Sequence, residues 1–434
     1  MPLIEGHTAC MNLWNPQITN SAVENISWQE YRPVSQINSS STIEFSVPNT
    51  GSQYFDLKRT RLAIKLKVVN KDGTDLIATD HVWPINLAMN TMFSQVDLLL
   101  QQKRVTRLTA PGYALKSYVD TLLHYGSDAK DGFLQGQLWY EDTAGAFDNL
   151  VVDGQQYAVT NLGSVTRYNK TKLSTELSLE GNLCIDFLQQ PRYMLNGGPL
   201  LFRLWQAPES FRLMSSKDGA AYRIEITDII LKMASIDVTA DALVAHANAL
   251  KLAPATYNCM QSDIKTFAIS EGQFSFTADN LFQGSVPSVL YAFLVPSEAF
   301  NGSFKRNPLN FVNANVSYVS FTLDNRDVPS AALTPNFDVN GMWTDCFISM
   351  LTTCKMYGTN EGNKMPLSHF AQGFAVYGFD IDSTDPGNYL PMPKKGNCRI
   401  NIRFKVALAE SMNLVLYSKY PSCVLINAAR GVTV

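Results

Sequence analysis

A chain of 434 residues is too long for one ordinary core; at about 150 residues per domain it points to two or three domains with a large interior. Hydrophobic residues make up 46% and charged residues only 17%, which leaves few charges to cover a surface and points to extensive contact with other subunits. The net charge of −3 argues against broad adhesion to nucleic acid, and the sequence carries neither a leader-like segment nor a run of about eighteen apolar residues that would span a membrane.

In chain order, residues 1–39 come first. They carry Glu5, Glu24 and Glu30 against a single Arg32 and are rich in Asn and Ser, so they are expected to form an extended arm ordered by neighbouring subunits, not a basic genome-binding tail. From Arg61 to Val69, Leu62, Ile64, Leu66 and Val68 alternate with Lys65 and Lys67, the period-two signature of a half-buried strand. A helix is expected over Tyr113–His124, where Leu115, Val119, Leu122 and Leu123 form one stripe. Tyr222, Ile224 and Ile226 return to strand alternation. An Ala-rich helix over Ala240–Lys251, with Thr239 as its N-cap, reads as a linker near the middle of the chain. A second striped helix is expected over Met342–Leu351, and Arg399–Leu408 alternates again.

The two halves echo each other. Val96-Asp97-Leu98-Leu99-Leu100 precedes the first striped helix as Val319-Ser320-Phe321-Thr322-Leu323 precedes the second, and Glu209-Ser210-Phe211-Arg212-Leu213 is matched late in the chain by Glu410-Ser411-Met412-Asn413-Leu414. The expected fold is therefore all-β: two tandem eight-stranded jelly-roll sandwiches, with a short helix in each and a linker helix between them. The expected boundaries are an N-terminal arm at 1–39, a first roll at 40–236, a linker at 237–259 and a second roll at 260–434.

Chemistry is sparse. His7, His81, His124, His246 and His369 stand singly, without metal-ligand spacing, and read as surface or satisfied polar groups. Cys10, Cys184, Cys259, Cys346, Cys354, Cys398 and Cys423 are odd in number and lack Cys-x-x-Cys spacing, so free thiols in a reducing compartment are expected. Glu141-Asp142 and Asp380 with Asp382 are read as solvated loop acids, and Lys103-Arg104 and Lys394-Lys395 as screened surface charge. Asn196-Gly197-Gly198 and Gly126 lack the continuation of a phosphate loop and are read as turn residues. No catalytic, cofactor-binding or metal-binding residue is assigned, no cofactor is expected, and the chain is not expected to be an enzyme. The long connections 126–172 and 296–317 are expected to carry subunit contacts, and Leu138-Trp139-Tyr140 suits either an interface or the core.

Several segments carry a resemblance: Phe93-Ser94-Gln95-Val96-Asp97, Leu122-Leu123-His124-Tyr125-Gly126, Leu138-Trp139-Tyr140-Glu141-Asp142-Thr143-Ala144-Gly145, Ala299-Phe300-Asn301-Gly302-Ser303-Phe304 and Leu333-Thr334-Pro335-Asn336-Phe337. They resemble the hexon-like major capsid proteins of adintoviruses and related Polinton/Maverick elements, from about Trp28 to the last strands around Leu414–Ile426. The resemblance implies a double jelly roll standing upright in a virion capsid and a homotrimer imitating sixfold symmetry. Its implied partners are the chain itself, neighbouring trimers, and penton and minor capsid proteins, with no sequence-specific nucleic acid. Synthesis in the host cytoplasm, with assembly there or in the nucleus, follows from the same resemblance. The alternatives are a penton-type vertex protein, which needs only one roll, and a two-sandwich carbohydrate-binding protein or hydrolase, which needs a concave site with convergent carboxylates or a metal.

Overall fold

Residues 20–37, 42–49, 51–152, 160–219, 221–282, 284–339, 341–382 and 392–434 are described by the computed structural model. The first half contributes β1 (Val23–Tyr31), β2 (Ile43–Val47), β3 (Tyr54–Asn70), β4 (Val82–Pro84), β5 (Phe93–Leu100), β6 (Lys103–Arg104), β7 (Leu177–Asn182), β8 (Leu200–Gln206), β9 (Leu213–Ser215) and β10 (Tyr222–Val238). The second contributes β11 (Ala255–Ile269), β12 (Ser275–Ala278), β13 (Val289–Pro296), β14 (Val316–Leu323), β15 (Arg326–Leu333), β16 (Val376–Asp380), β17 (Cys398–Phe404), β18 (Met412–Ile426) and β19 (Val432–Thr433).

The sheet orders decide the architecture. In the first half they are β1-β10-β3-β7 and β2-β8-β5-β6; in the second, β11-β18-β13-β16 and β12-β17-β14-β15, with β19 added beside β18. With the short pair β4-β9 and the added β19 set aside, eight strands remain in each half. Their orders are then identical: first, eighth, third, sixth in one sheet and second, seventh, fourth, fifth in the other. Each half is a complete jelly roll. The repeated sequences fall at equivalent places, Val96–Leu100 in β5 and Val319–Leu323 in β14, and each striped helix lies between the fifth and sixth strand of its roll.

Local sequence explains the elements. The β3 run alternates as expected, with Leu62, Ile64, Leu66 and Val68 buried. In contrast, β13 and β16 are buried at nearly every position, because both faces are covered and an unbroken apolar run replaces alternation. One cover is the helix Thr344–Thr353, which lies close on β16 at Gly378. A Cβ there would meet Thr353 Oγ1 at 2.7 Å and Met350 Cα at 2.9 Å, so only glycine admits the helix at this distance. The equivalent helix of the first roll, Gly112–His124, is buried beyond its apolar stripe, since Tyr113, Lys116 and Tyr118 are covered as well. It lies between the two hydrophobic cores: Tyr113 belongs to that of the first roll and Leu115, Tyr118, Val119 and Leu122 to that of the second.

Three expectations change. The first roll starts at Val23, not near residue 40, because β1 pairs with β10 from Val23↔Val238 to Tyr31↔Leu231. As an edge strand, β1 is only half-buried at Ser27, Gln29 and Tyr31 and exposes Ile26 and Trp28 along with Glu24, Asn25 and Glu30, so its residues resemble a polar arm in sequence. Residues 1–19 of the expected arm lie outside the described residues. The linker helix spans Ala240–Leu252, but the Thr239 side chain makes no capping hydrogen bond. The strand expected over Arg399–Leu408 ends at Phe404, and Val406 is exposed. Among the described residues, no helix is long and apolar enough to cross a membrane.

Candidate assembly surfaces and the seam between the rolls

A polar network joins the rolls where the helix Gly112–His124 meets β11 and β18. Lys116 Nζ donates to Asp120 Oδ2 at 2.8 Å and to the Cys184 carbonyl at 3.0 Å, and lies 3.0 Å from Asp186 Oδ1. From the second roll, Tyr417 Oη and Lys419 Nζ each donate to Asp120 Oδ1 at 2.9 Å, and the Ser262 amide donates to Asp186 Oδ2 at 2.9 Å. Burial works against the Lys116 ammonium, but the carboxylates of Asp120 and Asp186 hold its pKa well above the ordinary range. Burial likewise opposes the Asp120 carboxylate, yet Lys116 and Lys419 depress its pKa well below the usual carboxylate range. His124, beside them, is pushed down to about 4 by burial and by the charge of Lys419. A cleft of about 1080 Å³ opens next to this network, with Gln190, Tyr291, Lys355 and Asp380 among its walls.

His124 and Cys184 read in sequence as isolated polar groups, and Lys116, Asp120, Asp186, Tyr417 and Lys419 carry no motif. The one local signal was Lys116 and Asp120 at i, i+4 on a helix otherwise read for its apolar stripe.

The acids expected to be solvated are not. Asp142 and Arg167 are fully buried and paired at 2.6 Å, and Arg167 also donates to the Pro84 and Tyr140 carbonyls. Burial raises the Glu141 carboxyl. Asp380 and Asp382 are each 9% exposed, with Lys355 at 3.9 Å from the former and Lys394 at 3.4 Å from the latter. Nor is Arg104 free surface charge, since it pairs with Asp97 at 2.8 Å. Asp142 and Asp380 each meet a partner 25 residues away, whereas Arg104 meets Asp97 across the hairpin of β5 and β6.

The cluster Leu138-Trp139-Tyr140 belongs to the interior. Leu138 packs in the first core, while Trp139, 2% exposed, packs in the second, its ring centroid 5.6 Å from that of Tyr118. The connection 296–317 is largely covered, with Ala299, Leu309, Phe311 and Val316 buried. The connection 126–172 offers Phe133 and Leu162 to solvent, at 60% and 68% exposure. The linker helix presents Val244 and Leu252, at 60% and 90% exposure.

His246 shares a 3.0 Å hydrogen bond with the Tyr54 hydroxyl, His81 sits edge-on to Tyr168, and His369 stacks on Phe374. His7 and Cys10 lie outside the described residues. The six described cysteines are free, and no group of three or more His, Cys, Asp or Glu among the described residues is arranged to hold a metal ion. Gly197 has a φ of 89°, as its turn reading requires, and Gly126 precedes the short helix Ser127–Asp131.

No protein-family model matches the chain. In sequence it is 23% identical over 403 residues to an uncharacterized protein of Caenorhabditis elegans, covering 89% of this chain and 91% of that one. In structure it superposes on a chain of the Sputnik virophage with a TM-score of 0.64, at 9% identity, covering 100% of this chain and 93% of the other. The Faustovirus major capsid protein gives 0.60 at 11% identity, over 95% and 92% of the two chains. The mavirus major capsid protein gives 0.55 at 11% identity, over 100% and 95%.

The chain has the double jelly-roll fold of viral major capsid proteins. Within that double jelly roll the ionic seam and the apolar face of the helix Gly112–His124 both join one roll to the other. The exposed apolar side chains of the linker helix and of the connection 126–172 are its candidate outer contacts.

Proposed function

We propose that this chain is the major capsid subunit of an icosahedral double-stranded DNA virus, or of an endogenized copy of the adintovirus and Polinton/Maverick kind, and that it acts by self-assembly, with no catalytic activity. The observation that carries the reading is the presence of two complete rolls of identical strand order in one chain. Three such subunits present six similar units, so a homotrimer fills a sixfold position in a shell, whereas a vertex protein needs only one roll per subunit. The extent of the likeness to the Faustovirus and mavirus major capsid proteins supports this, since it runs nearly end to end in both.

In this reading, exposed Phe133, Leu162, Val244 and Leu252 serve contacts within and between trimers, and penton and minor capsid proteins complete the shell. Light scattering on purified protein tests it. A trimer of 48.2 kDa subunits with pseudo-hexagonal outlines in the electron microscope is the expected result. A pentamer would transfer the assignment to a vertex protein, and a stable monomer would overturn it.

A further inference from the structure

The strand β11 lies at the end of its sheet, paired with β18 on one side and bordered by the first roll on the other. Two hydrogen bonds fix which way its main-chain groups point. The Ser262 amide donates to Asp186 Oδ2 and the Ile264 amide to Asp263 Oδ1, each at 2.9 Å, so the even-numbered residues turn their N–H and C=O away from β18. The Thr256 carbonyl agrees, since it accepts from the Arg192 guanidinium. Because the register with β18 is unbroken along the whole strand, Asn258 and Met260 turn their main-chain groups the same way. Asp186 and Arg192 thus cap the edge at Ser262 and Thr256 and leave it open between them.

The open stretch borders the cleft of about 1080 Å³ beside the ionic seam, where Asn258, Cys259 and Met260 form one side and Gln189 to Arg192 another. Side chains alternate along a strand, so three consecutive residues line one cavity only where the strand's edge faces it. Asn258 is exposed and Met260 half-buried. Gln190, by contrast, is 5% exposed, and neither its Oε1 nor its Nε2 finds a hydrogen-bond partner among the described residues.

We propose that this cleft binds an extended peptide segment of another protein, which adds to β11 as a further strand at Asn258–Met260 and pairs with the Gln190 carboxamide. A strand edge takes a donor and an acceptor in register, and a carboxamide takes the same two partners. A peptide main chain supplies both, alternately, along each of its edges. The cleft is also larger than the roughly 300–1,000 Å³ of ordinary small-ligand pockets. Since the two caps keep the added strand short and the groups that meet it read main chain, recognition makes little demand on the peptide's sequence. The inference does not depend on the capsid reading, because the cleft belongs to the folded monomer.

The probe is the blocked peptide acetyl-Thr-Val-Thr-Val-Thr-amide, titrated at millimolar concentration into the 434-residue chain and followed by saturation-transfer NMR and calorimetry. The same peptide N-methylated at every residue keeps the side chains and loses the main-chain donors; it is expected to bind at least about tenfold more weakly. Met260→Pro removes an outward N–H at an edge where proline is tolerated, and Gln190→Met removes the carboxamide; each is expected to weaken binding about tenfold, with circular dichroism verifying that both variants are folded. Absence of binding overturns the proposal, as does equal binding of the methylated peptide or unchanged binding in either variant. A smaller oligomer for Met260→Pro without peptide overturns it too, by giving the edge to a second copy of this chain.

Discussion

The hydroxyl of Tyr417, on β18 of the second roll, donates a 2.9 Å hydrogen bond to the carboxylate of Asp120 on the long helix of the first. Both groups are withdrawn from solvent, and the same oxygen of Asp120 also receives Lys419. Replacing Tyr417 by Phe removes one donor to a charged acceptor, at an expected cost of about 1.5–3 kcal/mol. Urea unfolding followed by circular dichroism measures it. An unchanged midpoint would mean that this hydrogen bond contributes nothing net to the seam.

The same network sets a pH profile. The folded-state pKa of Asp120 is depressed, so its contribution is present above the unfolded value of about 3.9 and lost as pH falls below it. His124 is also depressed, to about 4, and stays neutral in the folded state, so its contribution is present above about 6.5 and lost as pH falls from there toward 4. Through these two groups the unfolding midpoint is expected to decline below pH 6.5 and to decline further below 4. His124→Gln should flatten only the upper part of the decline.

Arg167 and Asp142 are both fully buried at 2.6 Å. Arg167→Met leaves an uncompensated buried carboxylate and is expected to destabilise by about 3–5 kcal/mol. The double variant with Asp142→Leu removes that charge too, and should recover a substantial part of the loss in a thermal melt. If the double variant is as unstable as the sum of both single ones, the pair is not acting as a unit.

Trp139 separates a core role from an interface role. Trp139→Ala is expected to cost about 3–5 kcal/mol through the cavity it leaves. Leu252→Glu, on the 90%-exposed end of the linker helix, should instead change stability by less than about 0.5 kcal/mol while reducing the oligomer mass seen by light scattering.

The architecture was largely legible because strands and helices print their periods in sequence. Leu62 to Val68 alternate, and the two striped helices recur at matching places behind matching strands. The strand β1 was missed because an edge strand is held through its backbone, and its Asn, Ser, Gln and Glu side chains read like those of an unstructured arm. The paired acids were misjudged for a different reason. Asp142 meets Arg167 25 residues away, and Asp120 meets Tyr417 across almost 300, so no spacing rule reaches them. The adjacent Lys364 and Asn363 likewise show nothing in sequence of their nearness to Asp131 and Lys130.

The pairing of β11 with β18 runs without a bulge from Ala255↔Ile426 to Ile269↔Met412, whereas β10 breaks register against β3 twice. At about 3.4 Å per residue this ribbon of 15 residues forms an unbroken ladder about 50 Å long. A load applied along it strains all the ladder's hydrogen bonds at once in shear, while a load applied across it peels them one after another. The second roll is thus stiff in one direction and compliant in the other, and its resistance to force depends on the axis along which it is pulled.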